Sequence, residues 1–301
     1  MRVLEYGKEH EKTLLFLPCT AEPEWVFADS VGLLSQDYHV MQIVYDGHGE
    51  TGEDFDSVEA TVDEVTDWLR SQSVAYLDAA YGCSLGGACL TRLLALGKIP
   101  VGHAIIDAGI TPYQMPLFAR RLVCLCDYLG FKLVTRNRKA LETFYPPERW
   151  TLPGRDSVKE YEALAVYLKT YSNRTIRNIF WSANNYALPP EPAKMEKRME
   201  QMGDYGKAFM QMLGGARPYV TEQSCKNQFY SDLITPLPEK IDVPGTEIHI
   251  FYALKMGPKY RTRYEQHFAG PVIHEQDLRH EELLACYQEQ WAQLVKSIIQ
   301  F

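Results

Sequence analysis

Long apolar runs, basic clusters and an ordered cysteine pattern are all missing from this 301-residue chain. No uninterrupted apolar stretch reaches the ~18 residues that suggest a membrane helix, so no membrane span is expected. Lys and Arg total 31 against 39 Asp and Glu, a formal net charge of −8, and no long Lys/Arg run occurs. A nucleic-acid backbone would find no electrostatic footprint here. The seven cysteines, Cys19, Cys83, Cys89, Cys124, Cys126, Cys225 and Cys286, are odd in number and irregularly spaced. That usage fits reduced thiols in a cytosolic chain rather than a disulfide framework. Cys124 and Cys126 have no neighbouring His or paired Cys at zinc spacing, and neither a P-loop nor a GxGxxG turn is present. No metal and no cofactor is therefore expected. The opening MRVLEYGKEHEKTLLFL has no basic segment leading into an apolar one, which points to a cytoplasmic protein.

What is present is apolar patterning, with 46% hydrophobic residues, enough for an extensive core. The apolar or β-branched runs Leu14 to Leu17, Val40 to Tyr45, Val74 to Tyr81 and Ala104 to Ile106 suit buried parallel strands. Between them, Trp25 to Leu34, Val58 to Leu69 and Ala88 to Leu96 carry apolar residues at helical spacing. The alternation predicts an α/β fold, a mostly parallel sheet with helices on both faces. From Pro112 the rhythm changes to helical patterns, aromatics and Pro-rich breaks, with helices expected over Leu117 to Leu129, Val158 to Tyr171 and Met195 to Leu213. Strands return at Glu247 to Tyr252 and Pro271 to Ile273, followed by one closing helix over Glu281 to Ile299. The expected division is a core of 1–111 and 241–301 with a helical insertion at 112–240.

The third strand runs into Gly82, Cys83, Ser84, Leu85 and Gly86, a GxSxG arrangement between a strand and a helix. A nucleophile on so sharp a turn needs glycines two residues away on each side, where side chains would strike the strand or helix. Ser84 is the candidate nucleophile. The helix that follows directs its first amides toward the same place, so the Leu85 N–H is the candidate oxyanion donor.

With this elbow the chain resembles the α/β-hydrolase superfamily over nearly its whole length. Asp46, Gly47, His48 and Gly49 are similar to a Gly-rich turn of that superfamily that is mainly structural, so the resemblance implies a non-catalytic His48. Pro18, Cys19 and Thr20 occupy the place of the loop supplying the second oxyanion donor, with Pro18-Cys19 replacing the usual His-Gly pair. The backbone N–H of Cys19 or Thr20 is then the donor, since proline has none. The resemblance places the catalytic base on the loop before the closing helix, the position of His280, with His274 and His267 as alternatives. No carboxylate follows Tyr252 until Glu265, so the acid falls to Asp107, one strand earlier, with Glu265, Asp277 or a Ser–His dyad as alternatives.

The resemblance implies a serine hydrolase in which Ser84, His280 and Asp107 cleave a small or medium carboxylic ester, thioester or amide. The partner implied is a small-molecule acyl substrate. An acyltransferase would use the same machinery. A non-catalytic α/β-hydrolase-like binding protein is the rival from another class. Aromatics of the insertion, among them Tyr161, Tyr167, Tyr171 and Trp181, can line an acyl pocket or simply pack its helices.

Overall fold

A computed structural model describes residues 1–20, 22–49, 52–109, 117–144, 146, 156–186, 188, 240–279 and 282–300. Seven strands form one sheet in the order β1-β3-β2-β4-β5-β6-β7. They are β1 (Arg2–Tyr6), β2 (Thr13–Leu17), β3 (His39–Val44), β4 (Leu77–Cys83), β5 (Val101–Asp107), β6 (Glu247–Ala253) and β7 (Val272–Gln276). All neighbours run parallel except β1, which pairs antiparallel with β3 at the edge. Sequence patterning gives no warning of β1, because an edge strand is half-exposed and has little apolar alternation to read.

Both faces of the sheet are covered. On one face, α2 (Val58–Ser71) and α3 (Leu85–Leu96) share one buried cluster, including Val62 and Leu90, with Leu15, Ala80 and Ile106 of the sheet, and α7 (Asn173–Asn185) adds Ile179 to it from beside α2 and α3. On the other, α1 (Ala28–Leu34) and α10 (Gln288–Ile299) pack Val31, Trp291 and Val295 against Phe16, Tyr81 and Phe251. The expected single closing helix is two. The helix α9 (Glu282–Cys286) ends before Tyr287, whose φ of −126° and ψ of 51° are non-helical, and α10 starts at Gln288.

Between β5 and β6 the chain forms α4 (Leu117–Arg136), α5 (Arg138–Phe144), α6 (Ser157–Leu168) and α7, the helical cap of the fold. The expected helix Met195 to Leu213 lies outside the described residues. Side-chain hydroxyls bind α7 to the core: Thr175 Oγ1 accepts from the Phe55 N–H at 3.1 Å and Ser182 Oγ from the Val58 N–H at 2.6 Å. Asn178 Nδ2 donates to the Phe55 carbonyl at 2.9 Å. Short α8 (Pro258–His267) joins β6 to β7. Among the described residues, no helix is long and apolar enough to cross a membrane.

Candidate active site

Ser84 alone separates β4 from α3, with a φ of 51° and a ψ of −109°. A side chain in such a backbone conformation costs about 1–3 kcal/mol, so the surroundings must hold it there. They do so on both sides. The Ser84 N–H donates to the Asp107 carbonyl at 3.0 Å, and the Ser84 carbonyl accepts from the Ala88 N–H at 3.2 Å. A Cβ on Gly86 would be driven into the carbonyl of Leu17, and one on Gly82 into the carbonyl of Gly86. Only glycines let α3 press so closely against the ends of β2 and β4. A serine at a helix N-cap ordinarily turns its oxygen back onto the first-turn amides, but Ser84 makes no such bond. Its hydroxyl is thus not consumed in capping, and the N-terminus of α3 begins immediately beside it.

Asp107 ends β5 directly opposite Cys83, so its backbone lies against the elbow. Its carboxylate is buried on the α10 face of the sheet, where the Tyr81 hydroxyl donates to Oδ2 at 2.5 Å. Burial and the adjacent Asp107 charge push the Tyr81 hydroxyl well above its ordinary value, so it stays a protonated donor. Its ring is clamped, stacked on Phe16 at 5.3 Å and edge-on to Trp291 at 5.0 Å. Sequence reading passes over Tyr81 as a strand residue. The available signal is its period-two relation to Cys83, which puts it on the face that Asp107 shares once the register is known. The two other candidate carboxylates face solvent: Glu265 is paired with Arg261 at 2.9 Å, and Asp277 is 82% exposed with Lys255 at 3.7 Å.

The second candidate donor loop is also fixed by its side chains. The Pro18 carbonyl accepts from Tyr45 Oη at 2.9 Å, and Cys19 Sγ donates to Glu22 Oε2 at 2.9 Å. His48 Nδ1 lies 3.1 Å from the Asp46 carbonyl, which can only accept, so the ring proton is there. Nε2 then accepts the Thr20 hydroxyl at 2.9 Å. Burial lowers His48 to about 4, which keeps it neutral. A small pocket adjoins this loop, lined by Pro18, Cys19, Glu22, Tyr45, His48 and Tyr167.

Seven of the eight histidines are described, and each has its own surroundings. His39 pairs with Glu5 at 2.9 Å, His10 sits 3.8 Å from Glu9, and His48 serves the donor loop. His267 is buried at the end of α8 and lowered to about 4 by burial and then by Arg263. His274 lies on the same face as Asp107 but two strands away, with Phe251 in register between them, and its Nε2 is 3.1 Å from His249 Nδ1. Burial, then His274 and His103, lower His249 to about 4. The remaining histidine, His280, lies outside the described residues. Its flanks are described: β7 is parallel to β6 and delivers the chain to the same sheet edge as Ser84, and the Arg279 N–H donates to Glu282 Oε2 at 2.7 Å. Of the aromatics between β5 and β6, Tyr161, Tyr171 and Tyr186 are buried, and the Tyr171 ring meets His48 at 5.1 Å.

No protein-family profile matches the chain, and no curated protein matches it. Solved structures do. An α/β hydrolase family protein from Desulfitobacterium hafniense superposes with a TM-score of 0.63 at 14% identity, covering 99% of this chain and 100% of the other. An enol-lactonase from Burkholderia xenovorans LB400 gives a TM-score of 0.58 at 15% identity, over 100% of this chain and 96% of that one. A bromoperoxidase from Bacillus anthracis gives 0.63 at 9% identity, over 99% and 95% respectively.

Proposed function

We propose that this chain, which has the α/β-hydrolase fold, is a serine hydrolase that cleaves a small or medium carboxylic ester through an acyl-enzyme on Ser84. The observation that carries the reading is the strained Ser84 backbone at the strand-to-helix turn, with its side chain withheld from capping α3. In the proposed reaction Ser84 Oγ attacks the ester carbonyl while its proton passes to the His280 imidazole. The Leu85 N–H and that of Cys19 or Thr20 hold the oxyanion. Collapse expels the alcohol, which takes the proton back. Water, deprotonated by the same imidazole, then releases the acid and regenerates the serine. Asp107 orients the imidazole and stabilises its cation. Its burial beside Tyr81, at the strand end next to the elbow, favours it over solvent-facing Glu265 and Asp277.

His280 is the base by its place in the chain, on the connection leaving β7 at the edge that carries Ser84, and because the other histidines are engaged or situated elsewhere. Residues 1–111 and 241–301 form the core in this reading and 112–240 the cap over the cleft. A lactonase is among the structures that the fold resembles, and a lactone is a cyclic ester.

Fluorophosphonate labelling tests the reading. The wild-type protein should be labelled rapidly, and Ser84→Ala should take up no label while keeping its circular dichroism spectrum. A folded wild-type protein that resists the reagent would instead support a binding role.

A further inference from the structure

Far from the elbow, three side chains from two strands converge on one another. His103 of β5 and Glu247 of β6 are partners in register, and His249 follows Glu247 by two residues, so all three project from the same face. One oxygen, Glu247 Oε2, lies 3.5 Å from His103 Nδ1 and also 3.5 Å from His249 Nε2. The three candidate donor atoms all lie within 4.8 Å of one another. Both nitrogens are buried and, among the described residues, have no hydrogen-bond partner within good geometry. At 3.5 Å the contacts to the carboxylate are too long to satisfy them, and leaving such atoms unpaired is costly.

We propose that His103 Nδ1, His249 Nε2 and Glu247 form a binding site for a divalent transition metal of the zinc class. The spacing supports this, since donor atoms held by one tetrahedral ion at 2.0–2.1 Å stand about 3.4 Å apart, close to the two nitrogen–oxygen separations. The chemistry of the set supports it as well. Two imidazoles and one carboxylate suit zinc and its neighbours, whereas magnesium and calcium take oxygen ligands. The other ring nitrogen of His249, Nδ1, is 3.1 Å from His274 Nε2, a partner that can take its proton's hydrogen bond and leave Nε2 for the ion. The His249 and His274 rings also stack at 5.4 Å, which fixes the ligand's orientation. Glu247 is 68% exposed on its side chain, giving the ion a path from solvent and room for water ligands.

The site is separate from Ser84. His103 precedes Asp107 by four residues along β5, about 13 Å of strand. A bound ion would cross-link β5 and β6, the strands between which residues 108–246 are inserted. That ties together the two halves of the sheet at the junction with the largest loop-closure cost.

Isothermal titration of the chelator-treated full chain with Zn2+ tests the proposal, with Co2+ absorption as a second readout of ligand geometry. Saturable binding of one ion per chain is expected, weakened at least about ten-fold by Glu247→Gln and abolished by adding His103→Gln. His274→Gln should weaken it by about 10–100-fold through the loss of orientation. No saturable binding below ~100 µM, or binding that the Glu247→Gln single variant leaves unchanged, would overturn it. Because Glu247 is largely exposed, that single variant remains folded and the result is readable.

Discussion

The two ends of β5 present carboxylate chemistry on one face of one sheet, and they do so in opposite ways. At the exit end, Asp107 is buried, accepts a 2.5 Å bond from Tyr81, and lends its carbonyl to the strained elbow. At the entry end, Glu247 of the neighbouring strand is exposed and stands 3.5 Å from two imidazole nitrogens that no other described residue satisfies. At the exit end the protein itself supplies the donor to Asp107 Oδ2, and that donor's ring is clamped by Phe16 and Trp291. The entry end has donor atoms in position and a separation that a cation would close. Preorganisation suits a reaction, in which the groups must not move. An incompletely satisfied cluster suits a ligand that arrives from solution.

That contrast can be broken in order of effect. Asp107→Asn should leave the circular dichroism spectrum intact and lower turnover of a chromogenic ester about 10⁴-fold, as loss of the orienting carboxylate does elsewhere. Undiminished turnover would remove Asp107 from the site. Gly86→Ala should cost about 3 kcal/mol in urea unfolding, because the added Cβ strikes a backbone carbonyl that cannot turn aside. A change under about 1 kcal/mol would mean that α3 is not pressed on β2. Tyr81→Phe deletes the hydroxyl on Asp107 and should destabilise by about 1–3 kcal/mol, since a buried charged acceptor loses a donor. A neutral result would show that other donors hold Asp107. At the entry end, Glu247→Gln in metal-free protein should stay within about 0.5 kcal/mol of wild type, as an exposed substitution does. A large loss there would make Glu247 part of the folded framework and erase the distinction.

Much of the architecture can be read in one dimension because burial on both sheet faces leaves continuous apolar runs. Leu14 to Leu17 is such a run and Val40 to Val44 is broken only by Gln42, and both are strands in the interior of the sheet. Edge strand β1 leaves no such run, and the break at Tyr287 is invisible because the apolar face continues across it. The elbow is legible for a related reason: its requirement for glycine is local, set by residues two positions away and by the close approach of α3. Tyr81 is not legible, since the oxygen it donates to belongs to a residue 26 positions later.

The alternation of the interior strands with helices, the helical insertion between β5 and β6, and the turn that carries Ser84 follow from the chain itself, because each depends on short-range periodicity or on nearby glycines. Which carboxylate lies beside the elbow, and which histidines share a carboxylate with unsatisfied nitrogens, was decided by register. Parallel pairing brings together residues as distant as His103 and Glu247, and no local pattern records which residues will meet across it.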